Sequence, residues 1–336
     1  MPENGTPLKA DLVLEGGGVK GLALVGALQV LEKHGYTFPR VAGTSAGAIV
    51  GSLVAAGVPA EQLQAIMLET DFNEFMDEGV VQKYTGKVGA GYGLLFRQGI
   101  YEGDFFLDYL RGLLSDAGVD TFDQLEVESD DGSALPPEAR HRLVVMASDI
   151  RRNELVRLPW DLERLYEVDP DDLSVASAVR ASMAIPFFFR PFYMRRGGAK
   201  GRAARHTLVD GGMLSNFPIA VFDRKDNSAP RWPTFGLKLS AQVEDKTPEG
   251  SEDINGSIAQ VKAMIKTMTG FHDSLHVGQQ SVIDRTIFID NLGVSSVDFD
   301  LKPETQDELY KSGQSAATKF LDSWDFDAYV ARYRSD

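Results

Sequence analysis

The chain has no cysteine among its 336 residues, which excludes disulfides and thiolate metal sites and suits a reducing compartment. Positive charge is scarce too. With 34 Lys and Arg against 49 Asp and Glu the formal charge is −15, so nucleic acid is disfavoured and any contact with an anionic bilayer must be local. Met1 to Ala10 lacks the apolar stretch of a signal peptide, and the expected location is cytoplasmic. Val41 to Ala60 carries no charge and spaces Gly43, Gly47 and Gly51 like a membrane-dimerisation motif. Its Gly, Ala, Ser and Thr supply little transfer free energy, however, and Gly57 with Pro59 ends a helix early. A small-residue helix lying close against a sheet is the better reading.

What is present suffices for a large core, since 43% of the residues are hydrophobic. Residues 1–336 are expected to form a single domain, with a core over about 11–222 completed by C-terminal strands and helices over about 232–325. The acidic or Pro/Gly/Ser-rich stretches Glu126 to Arg140 and Gln242 to Ser257 read as surface loops. β-type runs at Leu12–Leu14, Val41, Leu143–Met146, Leu155–Leu158, Leu208–Val209, Phe235–Leu239 and Thr286–Ile289 alternate with helical patterns. Those helices are Gly21–Lys33, Glu61–Glu69, Asp104–Leu114 with Asp104 as N-cap, and Glu304–Leu321. The alternation implies an α/β protein, a three-layer α/β/α arrangement around a mainly parallel sheet, with active groups at the strand C-termini.

Three strand ends carry candidate chemistry. Gly43-Thr44-Ser45-Ala46-Gly47 reads as a strand-to-helix elbow, where crowding demands the small residues Gly43, Ala46 and Gly47 around a serine. Ser45 is a candidate nucleophile, and equally fits a plain N-cap. Gly16-Gly17-Gly18-Val19-Lys20-Gly21 follows the first strand, and bare amides in such a loop hold an anion. A dinucleotide fold would need an acidic residue after the next strand, where GTSAG stands, and a P-loop would need Ser or Thr in place of Gly21. An oxyanion hole fits, as does a turn that merely brings helix and strand close. The strand Thr207-Leu208-Val209 ends in Asp210-Gly211-Gly212, followed by Asn216 and Pro218. Asp210 can be a base there, although Asp-Gly is also a common hairpin signal.

Together with Ala181-Ser182-Met183-Ala184-Ile185-Pro186, these motifs stand in the order found in patatin-like phospholipases, and the chain resembles that family from about Asp11 to the strand near Ile287. The resemblance implies a lipid acyl hydrolase with Ser45 as nucleophile, Asp210 as base and no metal or cofactor. Backbone amides at Gly16, Gly17 and Gly18, joined by that of Ala46, would form the oxyanion hole. Lys20, Gly21, Gly43, Gly47, Gly211 and Gly212 support the motifs. Lys20 departs from the arginine usual in the family's loop, which keeps the charge and loses the planar fork. The implied substrate is a phospholipid or lysophospholipid, met by transient contact with a membrane surface; the oligomeric state is left open.

An aspartate of ordinary pKa, near about 3.9, is a feeble base, so the dyad requires a dehydrated site. Two alternatives stand beside it: a Ser-His-Asp esterase drawing on His34, His141, His206, His272 or His276, and a non-catalytic lipid-binding protein. His272 and His276, four apart, lack a third metal ligand, and His206 is expected to border the site without reacting. Phe187-Phe188-Phe189-Arg190-Pro191-Phe192-Tyr193 leads into Arg195, Arg196, Lys200, Arg202 and Arg205, a basic island that could hold headgroups beside an aromatic acyl entrance or form a charged hairpin after buried strands. Gly86 to Gly103 could be a lid or an ordinary loop.

Overall fold

The computed structural model describes residues 7–75, 99–127, 135–197, 199–226, 228–240, 278–296, 298 and 300–334. Its strands are β1 (Leu8–Lys9), β2 (Asp11–Leu14), β3 (Tyr36–Thr37), β4 (Val41–Thr44), β5 (Gly99–Tyr101), β6 (Leu143–Asp149), β7 (Glu154–Leu158), β8 (Phe187–Phe189), β9 (Phe192–Arg195), β10 (Arg205–Asp210), β11 (Thr234–Lys238) and β12 (Thr286–Phe288). The helices are α1 (Gly21–Lys33), α2 (Ala46–Ala55), α3 (Ala60–Glu69), α4 (Asp104–Asp116), α5 (Leu162–Tyr166), α6 (Val175–Ser182), α7 (Gln280–Ile283), α8 (Pro303–Leu321) and α9 (Phe326–Tyr333).

β2, β4 and β6 are buried along their whole length because each has a strand on both sides and cover on both faces. The sheet runs β12-β11-β2-β4-β6-β10-β9, with β7 also on β6. It is parallel from β12 to β6; β7, β10 and β9 are antiparallel additions. Leu, Val and Ala from α1, α2, α6 and α8 form the larger core with Leu12, Leu14, Leu143 and Val145. On the opposite face Val13, Ala42, Val144 and Met146 meet Trp160, Phe217, Ile219 and Phe222. This is a mixed α/β fold whose mostly parallel central sheet is flanked by helices. α1 and α8 touch so closely that a Cβ on Gly26 would lie 2.0 Å from the Tyr310 carbonyl oxygen.

The register fixes where the strand ends meet. β4 pairs with Leu143 to Met146 of β6, and β10 with Ala147 to Asp149, while β7 spans Val145 to Asp149. Since β7 overlaps both, β4 and β10 must share the other edge of β6 and abut there head to head. The last β4 pair is Thr44 with Met146, and the last β10 pair is Asp210 with Ala147. All three motifs stand at strand C-termini, but β10 runs against β2 and β4 and delivers Asp210 from the opposite direction.

Candidate active site

At the end of β4 the chain leaves the sheet through Ser45, whose φ of 52° and ψ of −122° are unfavourable for a residue with a Cβ. Strain of this kind costs about 1–3 kcal/mol and persists only where surroundings impose it. They do so here by close backbone approach. A Cβ on Gly43 would lie 2.3 Å from the Gly47 carbonyl oxygen, and one on Gly47 would lie 2.4 Å from that of Leu14. The Ser45 amide donates to Ser182 Oγ at 2.9 Å, and Thr44 Oγ1 donates to the Ser215 carbonyl at 3.2 Å. Ser45 occupies the N-cap position of α2 without a side-chain capping bond, so its hydroxyl is left for another partner.

Asp210 stands next to it. Ser45 and Asp210 are both buried, and the serine hydroxyl is near enough to the carboxylate to help hold its charge. Asp210 Oδ1 also accepts the Gly212 amide at 2.7 Å, and the Asp210 amide donates to the Ala184 carbonyl at 3.0 Å. Burial pushes the Asp210 pKa up to about 6, the Gly212 amide and the Ser45 hydroxyl restraining the rise. Gly211 is needed because a Cβ there would lie 2.3 Å from the Met146 carbonyl oxygen, while Gly212 faces the side chains of Asn216 and Asp210.

The glycine loop is tied to the same turn. Asn216 Nδ2 donates to the Gly16 carbonyl at 3.0 Å, and the Gly16 amide donates to the Asn216 carbonyl at 3.2 Å. The sequence places Gly16 among the anion-binding amides, but its N–H is engaged by Asn216. The amides of Gly17, Gly18 and Ala46 find no acceptor among the described residues. Gly18 has φ of 57° and lies so close to Ser296 that a Cβ would sit 1.7 Å from its carbonyl oxygen. Behind the loop, buried Glu15 accepts from Lys238 Nζ and the Leu239 amide. Lys20 closes the loop's short helical turn, and Gly21 opens α1 against Met67.

From Gly18 and Ala46 a narrow, almost wholly apolar cavity runs between α2, α3 and α4, lined by Ile49, Met67, Phe106 and Leu110. Thr70 Oγ1 and the Tyr109 hydroxyl, also in its wall, bond each other at 2.6 Å. The pair is thereby satisfied, and the remaining wall suits hydrocarbon.

The described histidines are engaged elsewhere. His34 Nδ1 is 2.8 Å from the Val30 carbonyl, His141 Nε2 is 2.8 Å from Asp171, and His206 Nδ1 is 2.8 Å from Asp149. His206 lies on β10 four residues before Asp210, within a buried group that includes Tyr166 rather than beside Ser45. Glu126, His141 and Asp171 have ligand atoms close enough for a metal, but Arg140 already pairs with both carboxylates. His272, His276 and the loop Gln242 to Ser257 lie outside the described residues, as do residues 128–134 of the other loop and 86–98 of the suggested lid. The described end of that segment, β5, pairs with β8, where Phe189 is buried and Phe187 exposed.

Ser182 and Asn216 are site neighbours to which the sequence assigned no contact. Both stand in or beside a recognised motif, but their partners are 137 and 200 residues away along the chain.

A family model described as patatin-like phospholipase matches residues 12–223. The chain is 33% identical over 319 residues to YqhO, an uncharacterised protein of Bacillus subtilis, covering 94% of this chain and 99% of that one. A shorter stretch of 84 residues is 32% identical to a lysophospholipase of Eremothecium gossypii, 25% of this chain and 5% of that protein. Among solved structures, VipD from Legionella pneumophila aligns with a TM-score of 0.52 at 20% identity, over 95% of this chain and 67% of that one, a likeness of fold.

Proposed function

The chain belongs to the patatin-like phospholipase family of lipid acyl hydrolases, and from that premise we propose that it cleaves fatty-acyl esters of phospholipids or lysophospholipids through a Ser45–Asp210 dyad. The observation that carries this reading is the burial, side by side, of a serine on a strained elbow and a carboxylate made more basic by that burial. Asp210 takes the Ser45 proton as Oγ attacks the ester carbonyl, then returns it to the leaving alcohol, and water hydrolyses the acyl-serine by the same path. The amides of Gly17, Gly18 and Ala46 stabilise the oxyanion, each contributing about 3–4 kcal/mol in the transition state. The apolar lining of the small cavity beginning at Gly18 and Ala46 favours hydrocarbon over a polar group there. We also read the chain as one domain, supported by β11 and β12 extending the sheet of β2 and by α8 packing on α1.

The test is mass spectrometry of the products from defined phospholipids and lysophospholipids, alongside fluorophosphonate labelling. Wild type should release fatty acid and be labelled at Ser45. Ser45→Ala and Asp210→Asn should do neither at a measurable rate, and fatty-acid release that survives in a folded Ser45→Ala protein would end the proposal.

A further inference from the structure

β6, β7, β9 and β10 continue past the ends of β2 and β4, and their far tip reverses the sign of the molecule. Ile150 to Asn153 turn β6 into β7, and the β9–β10 connection lies beside that turn, because Arg151 Nη1 donates to the carbonyls of Arg202 and Arg205. Arg196 and Arg152 are neutralised by Glu167 and Glu154. Arg151, Arg195, Lys200, Arg202 and Arg205 are exposed, and none forms an ion pair among the described residues. Five such cations together are out of keeping with a chain of net charge −15.

The same surface carries apolar groups. Tyr193 is opposite Thr207, Arg195 is opposite Arg205, and the Ile150 amide donates to the Thr207 carbonyl, so these side chains share one face of the sheet. Ile150 and Tyr193 are 45% and 38% exposed, and the Arg205 guanidinium stacks on the Tyr193 ring at 4.0 Å. The opposite face, with Met194, His206 and Asp149, is buried. From Met146, level with the dyad, to Arg151 is five residues, or about 17 Å of extended strand. The tip therefore projects from the end of the sheet at which β4 delivers Ser45.

We propose that this tip docks the protein on a bilayer containing anionic phospholipid. The inference rests on the lipid-hydrolase reading above for its choice of occupant. Guanidinium groups fork onto phosphate, and a tyrosine and an isoleucine between them enter the headgroup and upper acyl region. A polynucleotide would be met by the same cations but offers little to an exposed isoleucine. The rest of the surface is repelled by an anionic bilayer, so contact is confined to the tip and is reversible.

The experiment is co-sedimentation of the full chain with phosphatidylcholine vesicles and with vesicles in which part of that lipid is replaced by phosphatidylglycerol. Wild type binds the second and not the first, and binding falls with added salt. The triple variant Arg195→Gln, Lys200→Gln, Arg202→Gln touches none of the packed contacts of Arg151 and Arg205. Near a charged surface each cation is worth roughly fivefold in binding, so the variant should lose on the order of a hundredfold. Ile150→Ser should weaken binding without changing its salt dependence. Equal binding of the triple variant and wild type, or binding of an RNA oligonucleotide without binding of anionic vesicles, would overturn the proposal. Turnover of a soluble short-chain ester separates the two readings. Ester hydrolysis without vesicle binding overturns the docking surface alone, and vesicle binding by a protein with no esterase activity leaves docking standing while the catalytic reading fails.

Discussion

The Ser182 hydroxyl oxygen accepts the Ser45 amide hydrogen at 2.9 Å, directly beneath the strained turn that presents the candidate nucleophile. Two residues later the Ala184 carbonyl accepts the Asp210 amide at 3.0 Å. One short segment at the end of α6 thus fixes the backbone of both proposed catalytic residues. Ser182→Ala leaves a buried amide without its acceptor, which costs about 1–3 kcal/mol. Thermal melting should show that loss. Fluorophosphonate labelling of Ser45 should slow, with kcat reduced and KM nearly unchanged, and Ser182→Thr should recover most of both. Labelling at the wild-type rate in Ser182→Ala would mean that the elbow holds without this bond.

As the proposed base, Asp210 should link activity to stability with opposite signs. Burial raises its pKa to about 6 from a value near about 3.9 in the unfolded chain. As the base it must be ionised, so kcat/KM should rise with pH and level off above about 6. Between those two values the folded protein binds more protons than the unfolded one, so stability present at low pH is lost as pH rises through about 6. Asp210→Asn removes this penalty while keeping an acceptor for the Gly212 amide. The variant should be inactive, yet more stable than wild type at pH 8 by on the order of 2–3 kcal/mol, with the gain vanishing near pH 4. Denaturant titrations at the two pH values measure this, and a variant no more stable at pH 8 would show that the carboxylate is not destabilised by burial.

Much of this arrangement is legible in the sequence where local pattern decides it. Apolar spacing marks Gly21–Lys33 without error at either end, and the small residues around Ser45 announce the elbow because no larger side chain fits. Strand direction is a different matter. Nothing in Thr207 to Asp210 says that β10 runs against β6; pairing decides that, and the pairing lies elsewhere in the chain. Asp104 looks like an N-cap, but the cap is Gly103 at φ of 74°, whose carbonyl accepts from the buried Arg180. The engagement of the Gly16 amide also escapes the sequence, because its acceptor is Asn216.

Glycines of equal appearance should respond in opposite ways. Gly43→Ala or Gly47→Ala drives a Cβ into backbone that cannot yield, at 2.3 and 2.4 Å, and either should abolish the folded state or move Ser45 and suppress labelling. Gly112 lies inside α4 with nothing within 4 Å of an added Cβ. Gly112→Ala should stabilise the protein by about 0.5–1 kcal/mol through helix propensity, with unchanged turnover. Circular dichroism melts of the three variants provide the comparison, and a stable, active Gly47→Ala would contradict the close approach of α2 to Leu14.

A histidine triad and an aspartate dyad predict different fates for His206. Its Nδ1 meets Asp149 at 2.8 Å, and Tyr166, whose hydroxyl donates to the same carboxylate at 2.9 Å, sets its ring edge-on to the imidazole. Burial and the neighbouring carboxylate hold the Tyr166 hydroxyl well above its usual pKa, so it stays a donor throughout the working range. Asp149 keeps that donor and the amides of Arg151 and Arg152 if the imidazole is removed. His206→Asn should therefore cost about 1–3 kcal/mol of stability, and its folded fraction should turn over ester within about twofold of wild type. His141, bonded to Asp171, should behave in the same way. Complete loss of turnover in folded His206→Asn, with binding of substrate retained, would return the proton transfer to an imidazole and remove Asp210 as the base.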